Sequence, residues 1–438
     1  MIERTRSPLR LVATLGALVA LALVPVRAQE PVTRAEAARA ALASGTRIAL
    51  ARADSAAALA RLLTAHALPN PTLAAMYSTA VPQKHVTLDI PVFGALWTRG
   101  ARVAQAKASA RAARLLYSSE RVAALVEVDT TYTRALAANA RFRLSRQTAR
   151  DADSLRAMAV SRRDAGDASD LDVDLATVVA GQQLNVTAND SLSYMNALLT
   201  VQTLMGLPAD SVAIVLADSL VLTSRDTIIE RRTLEGGGMV IGVPPAIATP
   251  ATPGGAGASP ATVGPIPGVA AAEAALRAAE FGVALQRRSV FALPSVNVGV
   301  EWGDPAEPGY LPLIGLALPI PLFNRNKGPI AEATAEREKA RAQLLARRLE
   351  TRQRLIEGVR ERDALLVKVA RDRDLVIRAQ RVADRSLTAY REGASGLPAV
   401  LEARRSAREV LGQYIDDLAA LLTINTELRA LTQTVPVP

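Results

Sequence analysis

The residues best suited to chemistry are acids gathered at one point of the chain. Five aspartates occur within eleven positions, and they are Asp164, Asp167, Asp170, Asp172 and Asp174. Two interpretations stay open: the helix dipole favours acids at a helix N-terminus, and clustered carboxylates can draw cations toward a passage or contact a partner protein. A calcium-binding EF-hand loop is excluded, because Leu175 and Gly181 stand where that loop, counted from Asp170, requires glycine and glutamate.

Metal-ligating and nucleophilic residues are scarce. The chain has no cysteine, and its two histidines, His66 and His85, are not spaced as a ligand pair, so we predict no metal site. The absence of cysteine also excludes disulfides and a lipid anchor on an N-terminal cysteine. No nucleophile and base form a recognisable motif. We therefore predict no catalytic residue, no cofactor and no enzymatic activity.

The first residues are typical of a secretory signal peptide. Three arginines precede an apolar stretch from Leu11 to Val24, and Val26-Arg27-Ala28 fits a cleavage site after Ala28. This stretch is shorter than the about 20 residues of a transmembrane helix. We therefore predict that residues 1–28 direct export. The formal charge of +10 does not indicate nucleic acid binding, because basic residues are interleaved with acidic residues and only 3% of residues are aromatic.

The rest of the chain repeats itself. Leu68-Pro69 and Leu293-Pro294 each precede an alternating segment, a long run without proline and a glycine turn. The two proline-to-glycine distances, from Pro69 to Gly166 and from Pro294 to Gly393, are 97 and 99 positions. Such spacing indicates an internal duplication. The predicted organisation is a first repeat at 29–235, a Gly/Pro-rich linker at 236–268 and a second repeat at 269–438.

Long helices are the main predicted elements. Residues 93–207 and 330–397 contain no proline and are rich in helix-forming residues. One helix over 329–390 would be about 93 Å long at 1.5 Å per residue. A heptad series on this helix is apolar at seven of ten positions, which predicts a packing seam at 345, 349, 352, 356, 359, 363, 366, 370, 373 and 377.

Two hairpins supply four predicted strands. The segments are 72–79, 84–90, 295–302 and 311–320, and the second and third alternate clearly between apolar and polar residues. Four strands cannot close a membrane barrel, and open edges are not tolerated in lipid. If three chains each contributed four strands, a closed twelve-stranded barrel would result.

This order of elements resembles the TolC-type outer membrane efflux proteins. The resemblance covers nearly all of the mature chain outside the linker. The segment Pro319-Ile320-Pro321-Leu322-Phe323-Asn324-Arg325-Asn326-Lys327-Gly328 is most similar to the heavy-metal branch of cobalt-zinc-cadmium efflux.

The resemblance implies a mainly α protein with a small β part. Long antiparallel helical hairpins would form an α-barrel through the periplasm, continuous with a trimeric twelve-stranded β-barrel in the outer membrane. The implied partners are two further copies of the chain, a periplasmic adaptor (membrane fusion) protein, an inner membrane resistance-nodulation-division pump and outer membrane lipid.

In this family the two glycine turns form the periplasmic tip where the adaptor docks. The matching residues here are Gly166, Ser169, Leu171, Asp172, Tyr390, Gly393, Ser395 and Leu397. Asp172, Asp174 and Glu402 are candidate acids lining the pore. The chain departs from the family at two positions, because Ser395 replaces a basic residue and Ala399 replaces an acid. The closing network of the family is therefore not expected here.

Two functions follow as hypotheses. The first is a passive conduit, the outer membrane channel of a tripartite efflux system, exporting metal cations. The alternative is a periplasmic coiled-coil adaptor or scaffold that never enters a membrane. The alternating hairpins favour the conduit, because an adaptor would need a lipoyl-like β-domain.

Overall fold

The computed structural model describes residues 30–212, 214–221, 266–290, 294–318 and 325–432. The predicted signal peptide, most of the predicted linker and the Ile320-Pro321-Leu322-Phe323 segment lie outside the described residues.

Within the described residues, seven helices dominate the fold. They are α1 (Arg34–Ser44), α2 (Thr46–His66), α3 (Val92–Asp164), α4 (Asp170–Leu204), α5 (Pro267–Arg288), α6 (Lys327–Arg391) and α7 (Leu397–Thr432). The predicted helix at 329–390 corresponds to α6, which has 65 residues. None of these helices combines the length and apolar character that crossing a membrane requires.

The strands form two sheets. They are β1 (Glu30–Val32), β2 (Thr72–Tyr77), β3 (Lys84–Ile90), β4 (Ile214–Leu216), β5 (Ser295–Trp302) and β6 (Leu311–Ala317). β1 and β4 pair in parallel, and the other four form an antiparallel sheet in the order β2-β3-β5-β6. The pairing of β3 with β5 joins the hairpin of one repeat to that of the other.

The four-stranded sheet has one apolar face and one face of mixed polarity. Leu88 lies opposite Leu73 on one side and Val298 on the other, and this row ends at Ile314. The next row toward the helices contains Thr72, Asp89, Asn297 and Gly315. Directly opposed residues share a face, and successive residues alternate between faces. The alternation predicted for β3 and β5 is therefore confirmed.

Each repeat folds its long helices into a hairpin. α3 packs along α4, α6 packs along α7, and α3 also contacts α5 and α7. A core cluster joins α1, α3 and α4 to the small parallel sheet. At its centre Tyr132 is fully buried, and its hydroxyl donates a hydrogen bond to the carbonyl oxygen of Val32 at 2.8 Å. The second hairpin has its own cluster, which includes Leu365, Leu421 and Leu428.

The predicted heptad series on α6 packs only in part within the chain, where Val359 and Leu366 lie against the cluster of the second hairpin. Leu345 and Leu349 of that series are each 59% exposed. The buried face of α6 consists of Ala333, Ala340, Leu344, Gly358, Arg362, Leu365, Val369, Asp372, Ala383 and Tyr390. Seven of these ten residues are apolar, and glycine, arginine and aspartate occupy the other three positions. Gly358 allows close approach, since a Cβ there would lie 2.9 Å from Leu428 Cδ2.

Candidate functional site

Both long hairpins reverse through the same backbone turn. The first turn, residues 165–169, follows α3, and the second turn, residues 392–396, follows α6. Gly166 and Gly393 have positive φ angles of 83° and 77°. In each turn the glycine N–H and the next N–H donate back to the helix end, which is the Schellman arrangement. Glycine suits these positions because other residues are strained at positive φ.

A buried cluster holds the two reversals side by side. Leu155, Ala159 and Ala176 come from the first hairpin, and Tyr390, Leu397 and Val400 come from the second. All six are at most 3% exposed. The second turn is therefore flanked on both sides by buried residues, Tyr390 before it and Leu397 after it. These two predicted tip residues lie inside the cluster, so they support the turn and do not form its outer surface.

Arg162 links the turns directly. Its guanidinium carbon lies 4.7 Å from the centroid of the Tyr390 ring, and its Nη1 donates a hydrogen bond to the carbonyl oxygen of Tyr390. A cation over a tyrosine face is attracted by the ring quadrupole. Burial raises the pKa of the Tyr390 hydroxyl, Arg162 opposes this shift and Asp172 adds to it. That hydroxyl has no hydrogen-bond partner within the described residues.

The acids of the first turn play several roles. Ser169 is the N-cap of α4, and the Asp172 carboxylate accepts hydrogen bonds from the backbone N–H and hydroxyl of Ser169. In return, the backbone N–H of Asp172 donates a hydrogen bond to the Ser169 hydroxyl at 3.2 Å. This reciprocal arrangement is a capping box. Arg163 lies 2.6 Å from Asp164 and 3.9 Å from Asp170, measured from its guanidinium nitrogens to their carboxylate oxygens. One carboxylate therefore caps a helix and others pair with arginine.

The outer surface of the first turn combines charge with an apolar side chain. Asp167, Asp170 and Asp174 are exposed, and Leu171 is 75% exposed. In the second turn Ser395 is half-buried and makes only a long contact, 3.4 Å, to the carbonyl oxygen of Gly396. Glu402 is exposed on α7. In the described ranges, no group of three or more His, Cys, Asp or Glu side chains is placed to hold a metal ion.

Arginines join the hairpins further along the rods. Arg404 Nη1 lies 2.5 Å from Asp151 Oδ2. The Arg141 guanidinium donates to both carboxylate oxygens of Asp416. Each pair connects α3 to α7, so the two repeats are cross-linked by ion pairs as well as by the buried cluster.

The second hairpin also contains buried carboxyls. Asp372 on α6 and Asp417 on α7 are each 5% exposed, and Lys368 Nζ lies 2.9 Å from Asp417 Oδ1. Burial and a hydrogen bond to Asp417 raise the pKa of Asp372. Burial would also raise the pKa of Asp417, but hydrogen bonds from Lys368 and Gln413 outweigh it and lower that pKa. The hairpin therefore contains one aspartate with a raised pKa beside another with a lowered pKa.

Sequence reasoning identified the glycines and Ser169 but missed Arg162, Asp372 and Asp417. Arg162 and Asp372 belong to long runs in which bases and acids mix, so neither stands out by type. The position of Arg162 in its helix could have indicated its role. It lies in the last turn of α3, where a basic side chain is favoured and can reach the carbonyl oxygens of a neighbouring helix end.

Residues 266–433 match the sequence model of the outer membrane efflux protein family. This match contains all of α5 to α7 and the four predicted residues of the second turn. No curated protein matches the chain.

The similarity to solved structures covers about nine tenths of the chain. VceC, an outer membrane protein of Vibrio cholerae, gives a TM-score of 0.70 at 16% identity, covering 91% of this chain and 96% of that chain. A membrane protein from Pseudomonas aeruginosa gives 0.66 at 19% identity, covering 91% and 93%. CusC, whose crystal structures concern transmembrane channel formation, gives 0.65 at 16% identity, covering 92% of each chain. The predicted fold class, mainly α with a small β part and TolC-like, is confirmed.

Proposed function

We propose that the protein is the outer membrane channel of a tripartite efflux system. It is a passive conduit that an inner membrane resistance-nodulation-division pump supplies through a periplasmic adaptor. The observation that carries this proposal is the four-stranded sheet with one apolar face, attached to helical hairpins far longer than a compact domain requires. The family match and the structural neighbours support a channel and not an enzyme.

The sheet is incomplete in one chain. β2 and β6 are its outer strands, and within the described residues neither has a second partner. Their apolar side chains lie open, with Leu73 71% and Ile314 79% exposed. Lipid excludes unpaired backbone groups, so β6 of one chain pairs with β2 of the next. Three chains then close a twelve-stranded barrel, with the apolar face toward outer membrane lipid.

The helices also present surfaces for neighbouring chains. Leu345, Leu349 and Ile377 of the predicted heptad series do not pack within the chain, and each is more than half exposed. Exposed apolar side chains at helical spacing are typical of an interface. Packing of this stripe against the neighbouring copy would turn three pairs of hairpins into a helical tunnel.

Disulfide cross-linking tests the closed trimer, since the natural chain has no cysteine. Leu73→Cys on β2 is combined in turn with Pro312→Cys, Ile314→Cys or Leu316→Cys on β6. Within one chain two strands separate these positions, which is too far for a disulfide. We expect at least one pair to give oxidised dimers and trimers on a denaturing gel.

The matched control uses neighbouring strands of one chain. Leu73→Cys with Leu88→Cys joins directly opposed residues, so oxidation is expected to leave the mass at that of a monomer. The barrel is wrong if the control pair forms its disulfide but none of the β2–β6 pairs gives cross-linked dimers and trimers. The periplasmic scaffold would then be the better hypothesis.

We further propose that metal cations pass through the conduit and that the turns form its adaptor-docking end. Support comes from the exposed acids of the first turn and from the similarity of 319–328 to the heavy-metal branch.

Asp174 is the best position at which to test the proposed role of these acids, because it is exposed and plays no part in the capping box. Asp174→Asn is expected to lower cation conductance and metal resistance, whereas Asp190→Asn, on the same helix but distant from the turn, should leave both unchanged. Unchanged conductance and resistance in Asp174→Asn would contradict a role for this acid.

A further inference from the structure

The helix ends nearest the four-stranded sheet are basic, opposite in character to the acidic first turn. The first 28 residues of α3, 92–119, contain five basic residues and no acid. These residues are Arg99, Arg102, Lys107, Arg111 and Arg114. On the second repeat, Arg287 and Arg288 end α5, and Lys327 begins α6. The first long helix, α3, therefore begins in a basic segment and ends beside the acidic first turn.

A groove of about 600 Å³ lies between α5 and α6 at this basic end. Its apolar wall is formed by Leu276, Val283 and Ala284 of α5. Its basic wall is formed by four arginines, Arg287 and Arg288 of α5 and Arg337 and Arg341 of α6. Guanidinium groups gathered along one side of the groove suit an anionic group.

The arginines differ in how far their charge is compensated. Arg337 and Arg341 both pair with Glu338, at 2.5 and 3.7 Å, and Glu280 also lines the groove. Arg287 and Arg288 are exposed and form no ion pair within the described residues. The uncompensated charge of the groove is therefore concentrated at its end nearest the sheet.

The position of the groove follows from the contacts around it. The side-chain nitrogen of Asn326, just before α6, donates a hydrogen bond to the carbonyl oxygen of Gln286 at 2.8 Å. β5 begins at Ser295, a few residues after α5 ends. The groove thus borders the junction of helices and sheet. If the sheet lies in the membrane, as the proposed function requires, this junction is at the level of the lipid headgroups.

We propose that the sheet-proximal end of the groove binds the headgroup of an anionic phospholipid, with its phosphate at Arg287 and Arg288 and its acyl chains in the bilayer beside the sheet. Guanidinium groups bind phosphate oxygens through paired N–H donors. Each basic side chain beside a membrane increases the affinity for anionic headgroups roughly fivefold, which corresponds to about 1 kcal/mol. This inference rests on the proposed function and adds a lipid that holds the helical rods at the membrane surface.

The test counts lipids retained by the purified protein. The mature chain in detergent is mixed with equal amounts of phosphatidylglycerol and phosphatidylcholine, and bound lipid is counted by native mass spectrometry. We expect preferential retention of phosphatidylglycerol, reduced about tenfold or more by Arg287→Gln with Arg288→Gln. The matched control, Arg277→Gln with Arg347→Gln, removes the same charge from α5 and α6 outside the groove and should leave retention unchanged.

Three results would overturn the proposal. The first is equal retention of the two lipids by the natural chain. The second is unchanged retention in the Arg287/Arg288 variant. The third is complete displacement of the lipid by millimolar inorganic phosphate, which would make the groove a site for the free anion. Channel recordings on the same preparation separate this inference from the proposed function: a protein that conducts without preferring anionic lipid refutes only the inference, and one that never enters a bilayer refutes both.

Discussion

The two helix reversals use the same backbone turn and differ in what holds the returning helix. After the first turn, Ser169 and Asp172 form a capping box at the start of α4. After the second turn, α7 begins with the buried Leu397, and Ser395 makes only a long contact with the backbone. The first turn is stabilised by its own hydrogen bonds, whereas the second is stabilised by packing against the first hairpin.

Because of this difference, the two repeats have different roles at the tip. The self-capped first turn can present Asp167, Leu171 and Asp174 on its outer surface without loss of stability. The second turn contributes Tyr390 and Leu397 to the interior, and Arg162 of the first hairpin reaches across to Tyr390. Damage to the shared cluster should therefore loosen the second turn more than the first.

Tyr390→Ala should have the largest effect. Removing a buried aromatic side chain typically costs about 3–5 kcal/mol because a cavity remains. We expect hydrogen exchange of residues 388–400 to accelerate strongly and exchange at 166–172 to change less. Tyr390→Phe is the matched control and should be close to neutral, because the tyrosine hydroxyl has no hydrogen-bond partner in the described structure. Equal acceleration at both turns would contradict the division of roles.

Arg162→Gln should have the next largest effect. It removes the cation from the Tyr390 ring and the hydrogen bond to the Tyr390 carbonyl, together about 1–3 kcal/mol. The expected result is faster exchange at residues 392–396. Arg163→Gln is the control on the adjacent residue, because Arg163 is exposed and pairs only with acids near the first turn. A larger response to Arg163→Gln than to Arg162→Gln would show that the link between the turns is unimportant.

The carboxyl pair should make the second hairpin respond to pH. Because burial and Asp417 raise the pKa of Asp372, the folded state keeps a proton that the unfolded state has lost. The contribution of Asp372 to stability therefore falls as pH rises from the ordinary aspartate pKa of about 3.9 through the raised one. Asp417, with a lowered pKa, contributes in the opposite direction, gaining stability as pH rises toward 3.9.

Asp372→Asn separates these effects. It removes the carboxyl that resists ionisation, so the free energy of opening in the middle of α6 and α7, taken from exchange rates corrected for the intrinsic pH dependence of amide exchange, should increase at neutral pH and stay constant above pH 4. Asp417→Asn should instead accelerate exchange there, because Lys368 loses its partner. If the two variants behave alike, the assignment of the proton to Asp372 is wrong.

Ser169→Ala should have the smallest effect and makes the most direct comparison of the turns. Loss of an N-cap side chain costs about 1 kcal/mol, so exchange at the start of α4 should rise modestly. Ser395→Ala at the second turn should change nothing measurable, because its hydroxyl makes only the 3.4 Å contact. A larger effect at Ser395 would reverse the comparison.

The regular elements could be predicted because their signals are local. β5 occupies the predicted Ser295–Trp302, where strict alternation is bounded by Pro294, and α6 extends two residues before and one beyond its predicted range. Proline marks where helices cannot continue, and glycine marks where they reverse. Both signals can be read from a few neighbouring residues.

The features that the sequence did not reveal depend on residues far apart. β1 and β4 are strands of three residues each, separated by more than 180 positions, and such short strands carry no periodic signal. The buried residues of α6 include Gly358, Arg362 and Asp372, which a heptad search for apolar residues does not select. Arg162 acts on Tyr390 across 228 positions, and only the folded arrangement of the hairpins brings them together.

Single-channel recording tests the central claim most directly. The purified mature protein is added to a planar bilayer, and its oligomer mass is determined in detergent. A conduit built from three incomplete sheets predicts a trimer of the 46.2 kDa chain, less its signal peptide, that inserts and conducts ions. A monomer or dimer that never inserts would contradict the channel and favour a periplasmic scaffold.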